Sequence, residues 1–178
     1  MEIIPIFEIN DQTLFALKYK NETNDEFDRL FELWQDVQYL EEFFDNNKTD
    51  LTYFGKSVEE AVKQTRADAK ELQKQFLDIR SGQNNKKLDS YFHTLDRYKP
   101  TSSDEYERCK SYGTFEKSWI RLYTIKIPDN SFIITGGAIK LTKAMSERPH
   151  TQKEIDNLNN CMFFLHREGI IDKKGLKD

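Results

Sequence analysis

Trp119-Ile-Arg-Leu-Tyr-Thr-Ile-Lys-Ile127 is dense in the aromatic and β-branched residues that favour β-strands. Pro128-Asp129-Asn130 then supplies turn residues, and Ser131-Phe-Ile-Ile-Thr135 resumes the strand pattern. The sequence therefore predicts a β-hairpin here. Gly136-Gly137 follows, and glycine permits backbone angles and close approaches that a side chain would forbid. We therefore predict that the chain turns a corner at the two glycines and places Lys140 at the end of the hairpin.

The composition of the whole chain is that of a folded protein with one domain. The 178 residues are 37% apolar and 33% charged, and no run approaches the roughly 18 apolar residues that a membrane span requires. The N-terminus lacks the basic start and long apolar stretch of a signal peptide. The two cysteines show no CxxC spacing, which fits a reducing compartment. We predict one α+β domain over residues 1–178, a cytoplasmic location and no membrane partner.

The charge is distributed unevenly along the chain, although its formal net value is only −4. Residues 22–60 contain twelve acidic and three basic residues, whereas residues 107–153 contain four acidic and nine basic residues. This asymmetry is typical of a basic functional face with an acidic elaboration. Two solvated surfaces that bind no partner are the alternative interpretation.

Hydrophobic spacing predicts the N-terminal half. Residues 3–9 and 13–20 alternate like two strands and predict a hairpin. Thr23-Asn-Asp-Glu26 is a capping box, and the apolar stripe behind it predicts a helix that continues to Phe44 and ends at Asn46-Asn47. Ser57-Val-Glu-Glu60 is a second capping box, which opens a long helix that ends near Ser81-Gly82. Residues 22–80 are therefore predicted to form a helical, acidic elaboration.

The second half is predicted to surround the central hairpin with shorter elements. The spacing over residues 88–95 predicts a short amphipathic helix, and residues 101–117 predict a short helix after Ser102 or Ser103 and then a loop. Thr151-Gln-Lys-Glu154 is a third capping box, which predicts a last helix that stops at Gly169. The fold predicted from these elements is an antiparallel sheet, built from the N-terminal and C-terminal hairpins and packed with several amphipathic helices.

The basic half contains residue types that can cleave RNA without a metal. Arg121 and Tyr123 are two apart in a strand, so their side chains project from one face, and Lys140 follows the neighbouring strand. Cations stabilise the pentavalent phosphorane, while an acid and a base move the protons, and His150 can serve either role near neutral pH. The candidate catalytic residues are Arg121, Tyr123, Lys140 and His150, and the candidate RNA-binding residues are Lys126, Lys143, Arg148 and Arg97. Exposed strand ends with structural hydrogen bonds are the alternative interpretation.

Other kinds of site have weaker support in the sequence. Residues 136–140 lack the Walker spacing, and the carboxylates of the first predicted helix have no histidine at ligand spacing, so we predict neither a cofactor nor a metal. Cys109 lies between Arg108 and Lys110, which favours a slightly activated thiolate. Cys161 lies near the apolar side of the last predicted helix, which favours a buried, inert thiol.

The run from Ser118 to Lys140, followed by a terminal helix, resembles the core of RelE/ParE-superfamily toxins. The resemblance covers roughly residues 88–171, and it implies an α+β fold, a cognate antitoxin and cleavage of mRNA on the ribosome. By position, Arg121 and Tyr123 match the strand that presents active-site groups in that family, and Lys140 matches the basic residue after the next strand. Arg97 and Lys126 are the options for a second catalytic cation. Members of that family are typically smaller and basic, so this acidic chain needs a local basic face to bind RNA.

Two functional hypotheses therefore follow from the sequence. The first is a RelE-like toxin that acts as an RNA endonuclease. The second is a non-catalytic α+β interaction module, in which the acidic helices bind a basic protein and the hairpin is a scaffold.

Overall fold

The computed structural model describes residues 1–96 and 106–176, which form an α+β fold as predicted. Within these described residues, six strands and five α-helices follow one another, with 3₁₀ turns at Leu88–Ser90 and Met145–Glu147. The strands are β1 (Glu2–Ile9), β2 (Gln12–Lys18), β3 (His93–Thr94), β4 (Glu107–Tyr112), β5 (Ile120–Lys126) and β6 (Phe132–Ile139). The helices are α1 (Glu26–Leu33), α2 (Val37–Asn46), α3 (Lys48–Thr52), α4 (Val58–Arg80) and α5 (Pro149–Glu168).

The described strands form one sheet in the order β1-β2-β6-β5-β4-β3. The predicted N-terminal and C-terminal hairpins are confirmed, and both belong to this sheet. The pairing is antiparallel except between β2 and β6, which run parallel with Leu14 opposite Phe132. The sheet is therefore mostly antiparallel, as predicted, with one parallel junction between the two hairpins. The intervening helices carry the chain away from β2, so the later meander can add β6 beside β2 in the same direction.

Helices cover both faces of the sheet, and each face has its own hydrophobic core. The four helices of the N-terminal half cover one face, where the largest buried side chains include Trp34, Phe44, Phe76 and Trp119. Helix α5 covers the other face, where Leu158, Cys161 and Leu165 contact Phe15, Tyr123 and Ile133 of the strands. Side chains of a strand alternate between these two cores, which explains why β5 and β6 are apolar almost throughout.

The first predicted helix is two helices. Asp25, rather than Thr23, caps α1 by accepting hydrogen bonds from the amides of Phe27 and Asp28. Asp36 then caps α2 by accepting from the Tyr39 amide. The apolar stripe continues across the break because both helices bury their apolar sides in the same core. The stripe therefore predicted helix correctly but did not reveal the bend.

Two further capping boxes are predicted, at Ser57 and at Thr151, and the first of them is confirmed. The box at Ser57 is confirmed at the start of α4. The Ser57 hydroxyl accepts a hydrogen bond from the Glu60 amide, and the Glu60 carboxylate accepts one from the Ser57 amide. Helix α5 begins at Pro149 instead of Thr151, whose hydroxyl donates to backbone carbonyls of the preceding turn. Gly169 ends α5 with a left-handed φ of 64°, as predicted.

Three predictions between the helices were wrong. Residues 88–95 form a 3₁₀ turn and then β3, and part of the predicted loop before the hairpin is strand β4. The predicted glycine corner lies inside β6. A side chain at Gly136 would collide with the Glu154 carboxylate, and one at Gly137 would lie 2.8 Å from the Arg121 carbonyl oxygen, so close packing explains the glycines.

The helix predicted after Ser102 or Ser103 falls outside the residues that the structure describes. Within the described residues, every helix is too short or too polar to cross a membrane.

Candidate functional site

A basic pocket of about 480 Å³ opens on the α5 face of the sheet, beside the predicted catalytic strand. Five cationic side chains and one carboxylate, Asp96, are among its described lining residues. Those cations are Arg108, Lys110, Arg121, Lys140 and Lys143. The excess of positive charge and the concave shape make this basic pocket suited to an anionic ligand.

Strand register brings these residues together. Lys110 of β4 lies opposite Tyr123 of β5, and Tyr112 lies opposite Arg121, so the four side chains form a compact group on one face. Lys140 follows β6, where its amide donates to the Trp119 carbonyl and extends the β5–β6 pairing. Met145 and Ile155 supply the wall on the α5 side. The pocket is therefore built mainly from adjacent strand ends.

Arg121 is half-buried in the basic pocket and is fixed by contacts on two sides. Its Nη1 donates to the carbonyl oxygens of Ser118 and Ile120, each at 2.8 Å, and its Cζ lies 4.3 Å from the centre of the Tyr112 ring. Burial lowers the pKa of Arg121 from its ordinary value, although a guanidinium still remains charged. No other described residue accepts a hydrogen bond from it, so Nε and Nη2 remain available to a ligand.

Lys140 and Lys143 border the same pocket. The Lys140 ammonium donates to the backbone carbonyls of Thr142 and Lys143, which fixes its position. Burial, followed by the charges of Arg121 and Lys110, lowers the pKa of Lys140. Lys143 is exposed, and no described acidic side chain forms an ion pair with it. Both amines are therefore placed to contact an anion.

Tyr123 lines the basic pocket and is completely buried in the protein. Its hydroxyl has no hydrogen-bond partner among the described residues. An unpaired buried hydroxyl costs about 1–3 kcal/mol, so a partner that the protein itself does not supply would be favourable. Burial raises the pKa of Tyr123, which keeps the phenol protonated at neutral pH.

Strand β4 contributes residues that the sequence did not predict as part of the site. Arg108 forms an ion pair with Asp96 and donates to Asn159 at 3.0 Å, so its charge is largely used inside the protein. Lys110 and Tyr112 lie on the same face as Arg108. The alternation in Arg108-Cys-Lys110-Ser-Tyr112 is the sequence signal for this strand, where the prediction is a loop.

Three of the described site predictions, His150, Arg148 and Lys126, are not among the residues that line the pocket. His150 binds the Ile139 carbonyl oxygen through Nε2 at 2.9 Å and packs edge-on against Phe43. Arg148 makes a two-pronged ion pair with Asp50, at 2.6 and 2.7 Å, which lowers the pKa of Asp50. Lys126 points to the opposite face of the sheet and pairs with Asp89. Arg97 lies outside the described residues.

A second pocket of about 400 Å³ lies next to the basic pocket. The two share Tyr112, Arg121, Lys140 and Lys143. The remaining walls of this second pocket, which we call the aromatic pocket, include three apolar side chains: Phe54, Phe115 and Leu141. A charged cavity and a more apolar one thus meet along a common cationic border.

Among the described residues, the cysteines and acidic side chains form no separate metal or thiolate site. Cys109 is buried in the core below α4, and burial raises its pKa to about 12, so the predicted activation of this thiol is wrong. Cys161 is also buried, with its pKa raised to about 12. Over residues 1–96 and 106–176, no group of three or more His, Cys, Asp or Glu residues is arranged to bind a metal ion.

Comparisons with protein-family models, with curated proteins and with solved structures found no match to the chain.

Proposed function

We propose that the chain is a RelE-like toxin of a toxin–antitoxin pair and that it cleaves mRNA as a metal-independent endoribonuclease. The observation that supports this proposal most strongly is the meeting of Arg121, Tyr123 and Lys140 in one basic pocket. These three residues are the ones that the family resemblance assigned to the active site. A cognate antitoxin that covers the pocket and mRNA on the ribosome are the partners that this function requires.

The charge of the pocket supports a role in RNA binding. Lys110, Arg121, Lys140 and Lys143 have no ion-pair partner among the described carboxylates, whereas Arg108 is paired with Asp96. Phosphodiester oxygens are suitable acceptors for these ammonium and guanidinium groups. The net charge of −4 is no obstacle, because screening at physiological salt restricts electrostatic attraction to about 8 Å and so makes the local charge decisive.

The cleavage step can be assigned to residues of the pocket. The ribose 2′-oxygen attacks phosphorus, its proton passes to Lys140 in the fraction of molecules whose amine is neutral, and a phosphorane forms. Arg121 and Lys143 stabilise the negative charge of that phosphorane. The P–O5′ bond then breaks, and Tyr123 donates its proton to the departing 5′-oxygen, which leaves a 2′,3′-cyclic phosphate and a 5′-hydroxyl. Burial lowers the pKa of Lys140, which increases the fraction of neutral amine, and it raises the pKa of Tyr123, whose phenol is protonated at neutral pH.

Induced expression in a bacterial host tests the biological role. We expect expression of the unaltered chain to arrest growth, and the double variant Arg121→Ala with Lys140→Ala to relieve the arrest. The control is Lys63→Ala with Arg66→Ala, which removes the same charge from exposed positions on α4. Circular dichroism establishes that all three proteins are folded.

The outcomes of this experiment separate the two hypotheses. Arrest that is lost in the pocket variant and retained in the control supports the toxin. Equal behaviour of all three proteins contradicts it and favours the non-catalytic interaction module, because that function does not depend on the pocket cations.

A further inference from the structure

We propose that the aromatic pocket is a nucleobase subsite, which receives one unpaired base of the RNA whose phosphate lies in the basic pocket. This proposal rests on the function proposed above and extends it, because it assigns a second site. It also predicts that the protein distinguishes single-stranded RNA from duplex and from a bare phosphate chain.

Shared walls connect the two pockets. Tyr112, Arg121, Lys140 and Lys143 line both, so a group bound by these cations lies at the entrance of the aromatic pocket. A nucleotide has the matching construction, since its charged phosphate and its flat, largely apolar base are joined by one ribose. Tyr123 also lines the basic pocket, and its buried hydroxyl has no hydrogen-bond partner among the described residues.

The walls of the aromatic pocket suit a base. Phe115 is 41% exposed, which is unusual for a side chain of this size, and Phe54 is fixed by edge-on packing against Trp119 at 5.3 Å. Bases stack on aromatic rings in single-stranded nucleic-acid sites without a fixed sequence preference. Ser118, Lys117 and Thr142 add polar groups at the same pocket, which can contact the edge of a base.

Hydrogen bonds fix the segment that carries Phe115 at the wall of the aromatic pocket. Asp68 of α4 is buried, and its Oδ1 accepts hydrogen bonds from the Thr114 hydroxyl at 3.1 Å and the Phe115 amide at 3.3 Å. The Phe115 carbonyl accepts from the Ser118 amide at 3.1 Å and closes a turn. A surface aromatic on a segment with these bonds is preorganised for contact.

Fluorescence anisotropy with the full chain tests the proposal. The probe is a labelled single-stranded RNA of about ten nucleotides. The competitors are the same RNA annealed to its complement and inorganic tripolyphosphate. Phe115→Ala should weaken binding of the single strand by on the order of tenfold, the loss of one base–aromatic stack, and leave competition by tripolyphosphate unchanged. Phe115→Tyr should retain binding, and Phe163→Ala, at a 68% exposed position on α5, is the matched control.

The possible results distinguish this subsite from the underlying function. Unchanged RNA binding in Phe115→Ala, or equal binding of single strand and duplex, would overturn the base subsite alone. Loss of both RNA and tripolyphosphate in Arg121→Ala with Lys140→Ala is expected from the basic pocket. If the unaltered chain binds no RNA, the base subsite and the proposed function fail together.

Discussion

Lys140 is half-buried, and the proposed function gives its amine a role in both binding and proton transfer. Two backbone carbonyls fix its ammonium, while burial and the neighbouring charges of Arg121 and Lys110 lower its pKa. A lower pKa increases the fraction of neutral amine near pH 7, which a general base requires.

Lys140→Arg should separate the two roles. Arginine retains the positive charge but does not give up its proton in proteins, so RNA binding should stay within about threefold while cleavage falls by about 10² or more. Single-turnover cleavage and anisotropy measure these quantities on the same preparation. If cleavage survives in the arginine variant, Lys140 acts only through its charge.

Glu154 is a second buried titratable group, which lies outside the basic pocket. Its carboxylate covers Gly136, and Asn157 donates to it at 3.3 Å. Burial, with a further contribution from the charge of Glu26, raises its pKa to about 7. The folded protein therefore keeps this proton at a pH where the unfolded chain has lost it.

The sign of the resulting pH dependence follows from linkage. At a pH below the unfolded value of about 4.5, both states are protonated and Glu154 costs nothing. As the pH rises to about 7 the unfolded state ionises first, so the free energy of unfolding falls, by at most about 3 kcal/mol. Above about pH 7, the contribution of Glu154 to the free energy of unfolding no longer changes with pH.

Glu154→Gln should remove this pH dependence. The amide occupies the same volume and its oxygen can still accept from Asn157, so the variant should gain stability over the unaltered chain at about pH 8 and little at about pH 4. Urea unfolding at both pH values measures the difference. An equal change at both would contradict a raised Glu154 pKa.

At the scale of elements, the connection between β4 and β5 depends on one side chain of α4. Asp68 accepts from residues of this connection, and a side chain at Gly113 would collide with its carboxylate. Asp68→Ala would leave the Thr114 and Phe115 amides without their acceptor. We expect a loss of about 1–3 kcal/mol in the free energy of unfolding.

The same variant should also weaken RNA binding, because Phe115 loses its fixed position. Glu26→Ala provides the control, since it removes another buried carboxylate, and neither Glu26 nor its ion-pair partner Arg29 lines either pocket. Urea unfolding and anisotropy give the two readouts. Loss of stability with unchanged RNA binding would mean that the position of Phe115 is unimportant.

Several elements defined by local chemistry could be predicted from the sequence. The Ser57 capping box, the central hairpin and the end of α5 at Gly169 depend on neighbouring residues and were correct. Strand β4 was missed because its exposed side is charged and its strand character comes from pairing with β5. The break between α1 and α2 was missed because both helices bury one common stripe.

At the scale of the whole molecule, the sequence could predict which residues share a strand face but not which faces meet. Arg121, Tyr123 and Lys140 follow from period-two alternation and from the hairpin. The contributions of Lys110 and Tyr112 depend on strand order, and His150 is directed away by its bond to the Ile139 carbonyl. Those facts are properties of the tertiary structure.

The salt dependence of RNA binding should reflect the local basic face, although the net charge of the chain is negative. With about four unpaired cations in contact with phosphates, the logarithm of the RNA association constant should fall with the logarithm of salt concentration with a slope near −3. Lys143→Ala should reduce that slope by about 0.7, whereas Lys63→Ala should not change it. A slope near zero would mean that charge contributes little to binding.

The most direct measurement of the central claim is RNA cleavage by the purified chain in the presence of EDTA, with free RNA and with RNA on ribosomes. The proposed chemistry predicts fragments that end in a 2′,3′-cyclic phosphate and begin with a 5′-hydroxyl. It also predicts that Arg121→Ala with Lys140→Ala abolishes these fragments while Lys63→Ala with Arg66→Ala does not. Intact RNA under both conditions, or equal cleavage by the pocket variant, would contradict it.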